Sequence, residues 1–287
     1  MNLNERNESR LSRRQLLKTA ATAGVAGAFA LSADPLGMPI GCQLWPVRKM
    51  LGEDFEGTLA QLAAIGYKRV EMCSPASYSE GFGPLASKKA DEVRHSIEAA
   101  GLACESCHFQ FKELKTNLDD RIGWAREMGL KQMVVSTFAI KPTALMADWI
   151  TAAQDLNSIA EHVHKAGMQM GFHNHNFEFN QIYGVLVYDK LMETLDPKLV
   201  KMQFQVAVIS VGYQAATYLK KYAGRFLSLH LQDWSPSERK EVAIGQGVVD
   251  WKQLFHAARA AGVQNYFVEL GLDDLKTSYS YLHNLKA

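Results

Sequence analysis

Glycines recur along most of the chain where an amphipathic segment ends and an apolar run begins. The pattern occurs at five places, Ile65-Gly66-Tyr67, Ala100-Gly101-Leu102, Met128-Gly129-Leu130, Ala166-Gly167-Met168 and Ala261-Gly262-Val263. Glycine is favoured just past the carboxyl end of a helix, because it adopts a positive φ without the steric cost of a Cβ atom. Intervals of roughly 30 to 40 residues are typical of repeated strand–helix units, which build a parallel sheet.

Eight apolar runs fit this repeat as strands. They lie near residues 40–45, 69–74, 103–109, 132–138, 169–176, 200–209, 226–233 and 265–271. Eight strand–helix units in about 250 residues predict a (β/α)8 TIM barrel, which binds its substrate at the carboxyl ends of the strands. The alternative is a doubly wound open sheet, but the sequence lacks the glycine-rich phosphate fingerprint of that fold.

The first 33 residues have a different character. Arginines, among them Arg13-Arg14, precede a small, apolar run over residues 19–31. This order is typical of a signal peptide, and the run is short of the roughly 20 residues that span a membrane. The segment Ser12-Arg-Arg-Gln-Leu-Leu-Lys18 resembles the twin-arginine export motif. We predict a signal peptide over 1–33 and one barrel domain over 34–287, exported by the twin-arginine machinery to the periplasm or beyond. An uncleaved membrane anchor and a retained amphipathic helix are the alternatives.

Polar side chains gather at the predicted strand ends. Strand alternation places Glu71, His108, His173, Gln203, Gln205, His230 and Glu269 together there, with His175, Glu178 and Gln232 close by. Taken singly, a polar residue at a strand end is more often a hydrogen-bonded group than a metal ligand. Imidazoles and carboxylates from five strands at one height instead indicate a site for Zn²⁺, Mn²⁺, Co²⁺ or Fe²⁺.

Several motifs resemble the sugar phosphate isomerase/epimerase family, which has a xylose isomerase-like barrel and is related to endonuclease IV. They are Phe172-His-Asn-His-Asn-Phe-Glu-Phe179, Ser228-Leu-His-Leu-Gln-Asp233, Gly245-Gln-Gly-Val-Val-Asp-Trp251, Val268-Glu269 and Ser278-Tyr-Ser-Tyr-Leu282. The resemblance implies one divalent ion (Mn, Zn, Co, Fe or Mg) held by His173, Gln205, His230 and Glu269. It implies catalytic roles for Glu269, His175 and Glu178, and substrate contacts for Glu71, His108 and Gln232. Gln205 replaces the usual Asp, and Gln232 replaces the usual Lys.

The reaction that this resemblance implies is proton transfer next to a sugar carbonyl. The metal stabilises an enediolate, and an acid–base side chain moves the carbon-bound proton. Isomerisation or epimerisation of a sugar is therefore the expected activity. The alternatives are a sugar lyase or dehydratase, and a barrel that binds sugar without turnover, which Gln205 motivates.

Charge composition bears on the partners. Lys and Arg number 31 against 30 Asp and Glu, a net charge of +1. A basic groove for nucleic acid is therefore not expected, and a metallo-nuclease like endonuclease IV is disfavoured. We expect a small-molecule sugar as the substrate, and the sequence leaves a homo-oligomer open.

Cys104, Cys107 and His108 spell the C-x-x-C-H motif of covalent haem attachment. We expect no haem here, because alternation along the predicted strand directs the two thiols to opposite faces. Twin-arginine cargo also folds before export, whereas this haem is attached outside to an unfolded chain.

Overall fold

Eight short parallel strands account for the repeat in the sequence. A computed structural model describes residues 34–141 and 143–286. The barrel strands are β1 Gly41–Gln43, β2 Arg69–Cys73, β3 Ala103–Phe109, β4 Gln132–Val135, β5 Gln169–His173, β6 Val200–Gln205, β7 Phe226–Leu231 and β8 Asn265–Val268. They pair in sequence order, and β1 closes the circle by pairing with β8. The structure thus confirms the predicted (β/α)8 barrel.

Helices follow the strands and pack outside the barrel. They are α1 Arg48–Glu53, α2 Phe55–Ile65, α3 Ser79–Phe82, α4 Ala90–Ala99, α5 Phe111–Glu127, α6 Met146–Lys165, α7 Val187–Thr194, α8 Ala215–Lys221, α9 Trp251–Ala261 and α10 Leu272–Asn284. Short 3-10 turns cover Pro35–Gly37, Trp45–Val47, Gly83–Ser87, Asn176–Phe179 and Val206–Val211. All five glycines that the repeat placed at helix ends have a positive φ, as expected.

Helix α9 shows how local sequence forms one of these units. The Asp250 side chain accepts a hydrogen bond from the backbone N–H of Gln253 at 2.9 Å, which caps the amino end. Trp251, Leu254, Phe255 and Ala258 follow helical spacing and are buried against the barrel. Gly262, with φ +75°, ends the helix in the left-handed region.

The strands end earlier than the sequence predicts at their carboxyl ends. The predicted runs 169–176 and 200–209 stop at His173 and Gln205, and each continues as a 3-10 turn. The predicted run 226–233 stops at Leu231, and a separate hairpin of Asp233–Ser235 and Lys240–Val242 follows. His175, Glu178, Gln232 and Glu269 therefore lie on loops, as active-site residues of such barrels commonly do.

A β-bulge corrects the prediction for the two cysteines of the C-x-x-C-H motif. The register between β2 and β3 pairs Cys104 with Val70 and Cys107 with Met72, and Glu105 is the extra residue. Val70 and Met72 share one face of β2, so both cysteines lie on the same side of the sheet rather than on opposite sides. Both are buried free thiols.

Asp233 ties down the long connection that follows β7. Its carboxylate accepts hydrogen bonds from the backbone N–H groups of Trp234, Gly245 and Val249 and from Nε1 of Trp251, at 2.9 to 3.1 Å. Asp233 is fully buried. This residue of the Ser228–Asp233 motif therefore holds a loop beside the strand ends.

The predicted signal peptide over residues 1–33 lies outside the described residues. Across the ranges that are described, each helix is too short or too polar to cross a lipid bilayer.

Candidate active site at the carboxyl end of the barrel

Glu71, at the carboxyl end of β2, is the centre of a buried hydrogen-bond network. Its Oε1 accepts from Ser106 Oγ at 2.5 Å and from Gln203 Nε2 at 2.8 Å. Its Oε2 lies 2.5 Å from Nε2 of His230 and 3.2 Å from Nε2 of His108. Burial alone would raise the pKa of Glu71, but the two histidines and their hydrogen bonds hold that pKa well below its usual range. The side chain is therefore a fully buried carboxylate.

His230, on β7, lies between two carboxylates. Its Nε2 faces Glu71, and its Nδ1 lies 3.1 Å from Oε2 of Glu269. Burial would lower the pKa of His230, but the carboxylates of Glu269 and Glu71 raise it to about 10. Both ring nitrogens consequently act as donors in this arrangement.

Three imidazoles form a candidate metal site. One ligand atom from each of His108, His173 and His230 lies within 4.8 Å of the others. Nδ1 of His173 is buried and has no hydrogen-bond partner within residues 34–141 and 143–286. Burial and the neighbouring imidazoles hold the pKa of His173 well below its usual range. A buried neutral imidazole with an unused nitrogen is a suitable ligand for a divalent transition metal.

Gln205 and Glu269 extend this cluster. Nε2 of Gln205 donates to Oε2 of Glu269 at 2.6 Å, and Oε1 of Gln205 accepts from the backbone N–H of Ala207 at 3.4 Å. Burial would raise the pKa of Glu269, but the charge of His230 and its hydrogen bond lower it. Two of the four predicted metal ligands, Gln205 and His230, thus each contact a third, Glu269. The fourth, His173, has its ring centroid 4.4 Å from that of His230.

Two cavities open above the cluster. The first, about 340 Å³, is lined by His108, His173, His175 and Glu269 among others, and we call it the reaction cavity. The second, about 450 Å³, also reaches His175 and Glu269 and is lined in addition by Gln205 and Gln232. Two of the three predicted catalytic residues, His175 and Glu269, therefore line both cavities. Volumes of this size are typical of small-molecule sites.

Glu178 and Gln232 bond the backbone of His175 and Glu269, respectively. Oε2 of Glu178 accepts from the backbone N–H of His175 at 2.7 Å, and burial raises the pKa of Glu178 to about 8. Its Oε1 is buried without a hydrogen-bond partner in the described part of the chain. Nε2 of Gln232 donates to the backbone oxygen of Glu269 at 2.7 Å, so Gln232 fixes the loop that carries Glu269.

Sequence reasoning missed an aromatic wall of the reaction cavity. Trp45 and Tyr78 line it, with ring centroids 5.6 Å apart in an edge-to-face contact. The Tyr78 hydroxyl bonds the Ser136 hydroxyl, which also lines the cavity. Trp45 follows β1 and Ser136 follows β4, so their places at strand ends were the available signal.

A model of the xylose isomerase-like TIM barrel family matches residues 59–275. The chain belongs to this family. This xylose isomerase-like barrel is similar to the inosose dehydratase of Geobacillus thermodenitrificans, with 23% identity over 288 aligned residues that cover 87% of the chain and 93% of that enzyme.

Two solved structures share the fold. The chain is similar to a sugar phosphate isomerase/epimerase from Parabacteroides distasonis, with 22% identity, a TM-score of 0.74, and coverage of 93% and 98% of the two chains. It is also similar to the IOLI protein solved with a zinc atom, with 12% identity, a TM-score of 0.65, and coverage of 85% and 96%. Both likenesses show that the chain shares the fold of these barrels.

Proposed function

We propose that this barrel moves a proton at a carbon next to the carbonyl of a sugar or keto-polyol. The observation that carries the proposal is the pair formed by Glu269 and His175, which line one cavity directly above the histidine cluster. Such chemistry needs a base to take the proton and a second group to return it or protonate a neighbouring oxygen. The two side chains supply both roles.

Glu269 is assigned as the base because of where its hydrogen bonds fall. Gln205 and His230 both contact Oε2. Oε1 is consequently the oxygen left to accept a substrate proton. Because the pKa of Glu269 is lowered, the group is an anion near neutral pH.

His175 is assigned as the second proton-transfer group. Its Nδ1 is buried without a hydrogen-bond partner among the described residues, and its ring lines both cavities. Burial lowers the pKa of His175 to about 4, so the ring is neutral near pH 7 and exchanges protons through its nitrogens.

The donor set fits a divalent metal. His173 offers an unpartnered buried nitrogen. Glu71 holds Nε2 of His230, so Nδ1, which now faces Glu269, could ligate a metal once its proton is lost. A carboxylate that fixes the second nitrogen of a ligating histidine is a recurrent feature of metal sites. We assign His173, His230, Glu269 and the amide oxygen of Gln205 as the ligands. A bound ion would act as a Lewis acid on the substrate carbonyl.

Two outcomes follow from the same proton abstraction. Return of the proton gives an isomerase or epimerase, which the likeness to the Parabacteroides distasonis protein favours. Loss of a neighbouring hydroxyl gives a dehydratase, which the likeness to the inosose dehydratase favours. The products distinguish the two activities: an isomerase or epimerase gives an isomer of the substrate, and a dehydratase gives a product that has lost water.

The test is solvent proton exchange. The protein loaded with Mn²⁺, Zn²⁺ or Co²⁺ is incubated in D2O with an inosose and with D-fructose, and the products are followed by NMR. We expect deuterium at the carbon next to the carbonyl, or a dehydrated product. Glu269→Gln should abolish the reaction, whereas the exposed Glu238→Gln should retain it. Binding without exchange would reject the enzyme and identify a sugar-binding barrel.

We also propose export by the twin-arginine pathway, which the Arg13-Arg14 motif supports. Replacing both arginines by lysine should retain the protein in the cytoplasm, as cell fractionation would show. Unchanged export of that variant would reject the proposal.

A further inference from the structure

A third cavity lies beside the reaction cavity. Its volume is about 820 Å³, more than twice the 340 Å³ of the reaction cavity. Apolar and aromatic side chains supply most of its lining, namely Ile140, Trp149, Phe177, Ile182 and Val187, beside the small residues Ala139 and Ala144. Thr137, Lys141, Asn180 and Gln181 add polar groups. We call it the apolar cavity. Its walls differ from those of the reaction cavity, where histidines and a carboxylate face the substrate.

The two cavities are neighbours that share part of their lining. Thr137 and Ala139, in the loop after β4, line both of them. Ala139 has a φ of +54°, a left-handed conformation that is rare for a residue with a side chain. Its backbone N–H donates to Oγ1 of Thr137 at 3.1 Å, which supports the turn. This turn therefore separates the reaction cavity, which Glu269 lines, from the apolar cavity.

Aromatic rings connect the two cavities. The Phe177 ring stacks on His175, with centroids 5.1 Å apart and planes 9° apart, and contacts Trp149 at 6.3 Å. Phe177 is 40% exposed. An apolar ring bound here would cover part of this exposed surface, and aromatic pairs of this kind favour offset or edge contacts.

We propose that the apolar cavity binds an apolar ring attached to the sugar-like part of the substrate. The substrate class would then be a keto derivative of a glycoside with an aromatic aglycone, rather than a free monosaccharide, because the proposed proton transfer needs a carbonyl. This inference rests on the proposed function, because it places the sugar-like part at Glu269 and His175. The occupant follows from the largely apolar lining, the aromatic rings and the lining residues shared with the reaction cavity.

The experiment compares matched ligands by titration calorimetry. The 4-nitrophenyl and methyl glycosides of glucose, galactose, mannose and xylose are titrated into the metal-loaded protein. For at least one sugar, we expect the nitrophenyl glycoside to bind about tenfold more tightly than the methyl glycoside of the same sugar. The reason is that its ring is transferred from water into the cavity. Failure of every nitrophenyl glycoside to bind more tightly than its methyl partner would overturn the inference.

A pair of variants locates the ring. Ile182 and Val185 face each other across a short hairpin, but only Ile182 is among the residues that line the cavity. Ile182→Asp should remove most of the nitrophenyl advantage, whereas Val185→Asp should retain it. Ile140→Asp, in a different segment of the lining, provides a second test should Ile182→Asp fold poorly. An advantage that survives both cavity variants would overturn the assignment.

Two further comparisons separate the alternatives. Cellobiose carries a second sugar in place of the arene, and an equal gain for cellobiose would identify a sugar subsite and reject an apolar one. These measurements need no turnover. Tighter binding of a nitrophenyl glycoside without deuterium exchange would therefore support the apolar subsite and reject the proposed proton transfer. Deuterium exchange without tighter binding would support the proton transfer and reject the apolar subsite.

Discussion

Replacing Glu71 by glutamine tests the buried charge network at the base of the site. The substitution preserves size but converts one carboxylate oxygen into an amide N–H group. Oε1 and Oε2 each receive two hydrogen-bond donors, and those on Oε2 are the Nε2 atoms of His230 and His108. An amide oxygen can replace only one of the two acceptors. Either the two imidazoles or the donors of Ser106 and Gln203 then face an amide N–H group.

The expected loss is large. Removing one partner of a buried ion pair destabilises a protein by about 3–5 kcal/mol, because the other charge is left without compensation. Stability changes of 1 kcal/mol shift Tm by about 2–4 °C in a domain of this size, so Tm should fall by about 6–20 °C. The lowered pKa of Glu71 means that its carboxylate is charged near neutral pH, so the case of a buried ion pair applies.

Glu105→Gln is the matched control. Glu105 pairs with Lys131 and lies 4.0 Å from Arg69, but 30% of its side chain is exposed. Exposed pairs contribute about 0–1 kcal/mol, so this variant should change Tm little. Urea denaturation and calorimetry of both variants measure the difference. Equal effects of Glu71→Gln and Glu105→Gln would refute the assignment of Glu71 as an ionised centre of the network.

Three further predictions concern metal, pH and loop anchoring. Gln205→Asp adds a negative charge beside Glu269 and should raise the metal content measured by plasma mass spectrometry; equal metal in both proteins would contradict this role for Gln205. Burial raises the pKa of Glu178 from 4.5 to about 8, so its stabilising contribution is complete below pH 4.5 and is lost as pH rises through 8. Glu178→Gln cannot ionise and should flatten the fall of unfolding free energy over this interval; an unchanged pH profile would argue against a raised pKa. Asp233→Asn should lower the unfolding free energy by about 1–3 kcal/mol, because an amide cannot accept from all four donors; a neutral result would mean that the loop has another anchor.

Local signals in the sequence were sufficient for the fold. A glycine that ends a helix and an apolar run that forms a strand depend on neighbours only a few residues away, so the repeat and its count of eight were readable. Alternation along the strands also separated inward from outward residues. It identified Glu71, His173 and His230, which the structure brings together inside the barrel.

Alternation was reliable only within regular strands. The extra residue Glu105 reverses the alternation in β3, so the two cysteines meet on one side of the sheet. Past the end of β5 the chain turns into a 3-10 segment, and the Glu178 carboxylate turns back to the His175 backbone. A bulge and a strand end depend on the pairing of neighbouring strands, which the sequence of one strand does not encode.

The sequence by itself determined the barrel, the edge at which its chemistry lies, and most residue types gathered there. Only the tertiary structure decided that His230 lies between Glu71 and Glu269, which are 159 and 39 positions away in the chain. It also decided that an apolar cavity lies beside the reaction cavity, with Thr137 and Ala139 in both linings. The physical reason is range: helix ends and strand alternation arise from local contacts, whereas charge pairing and cavity shape arise when closure of the barrel brings distant segments together.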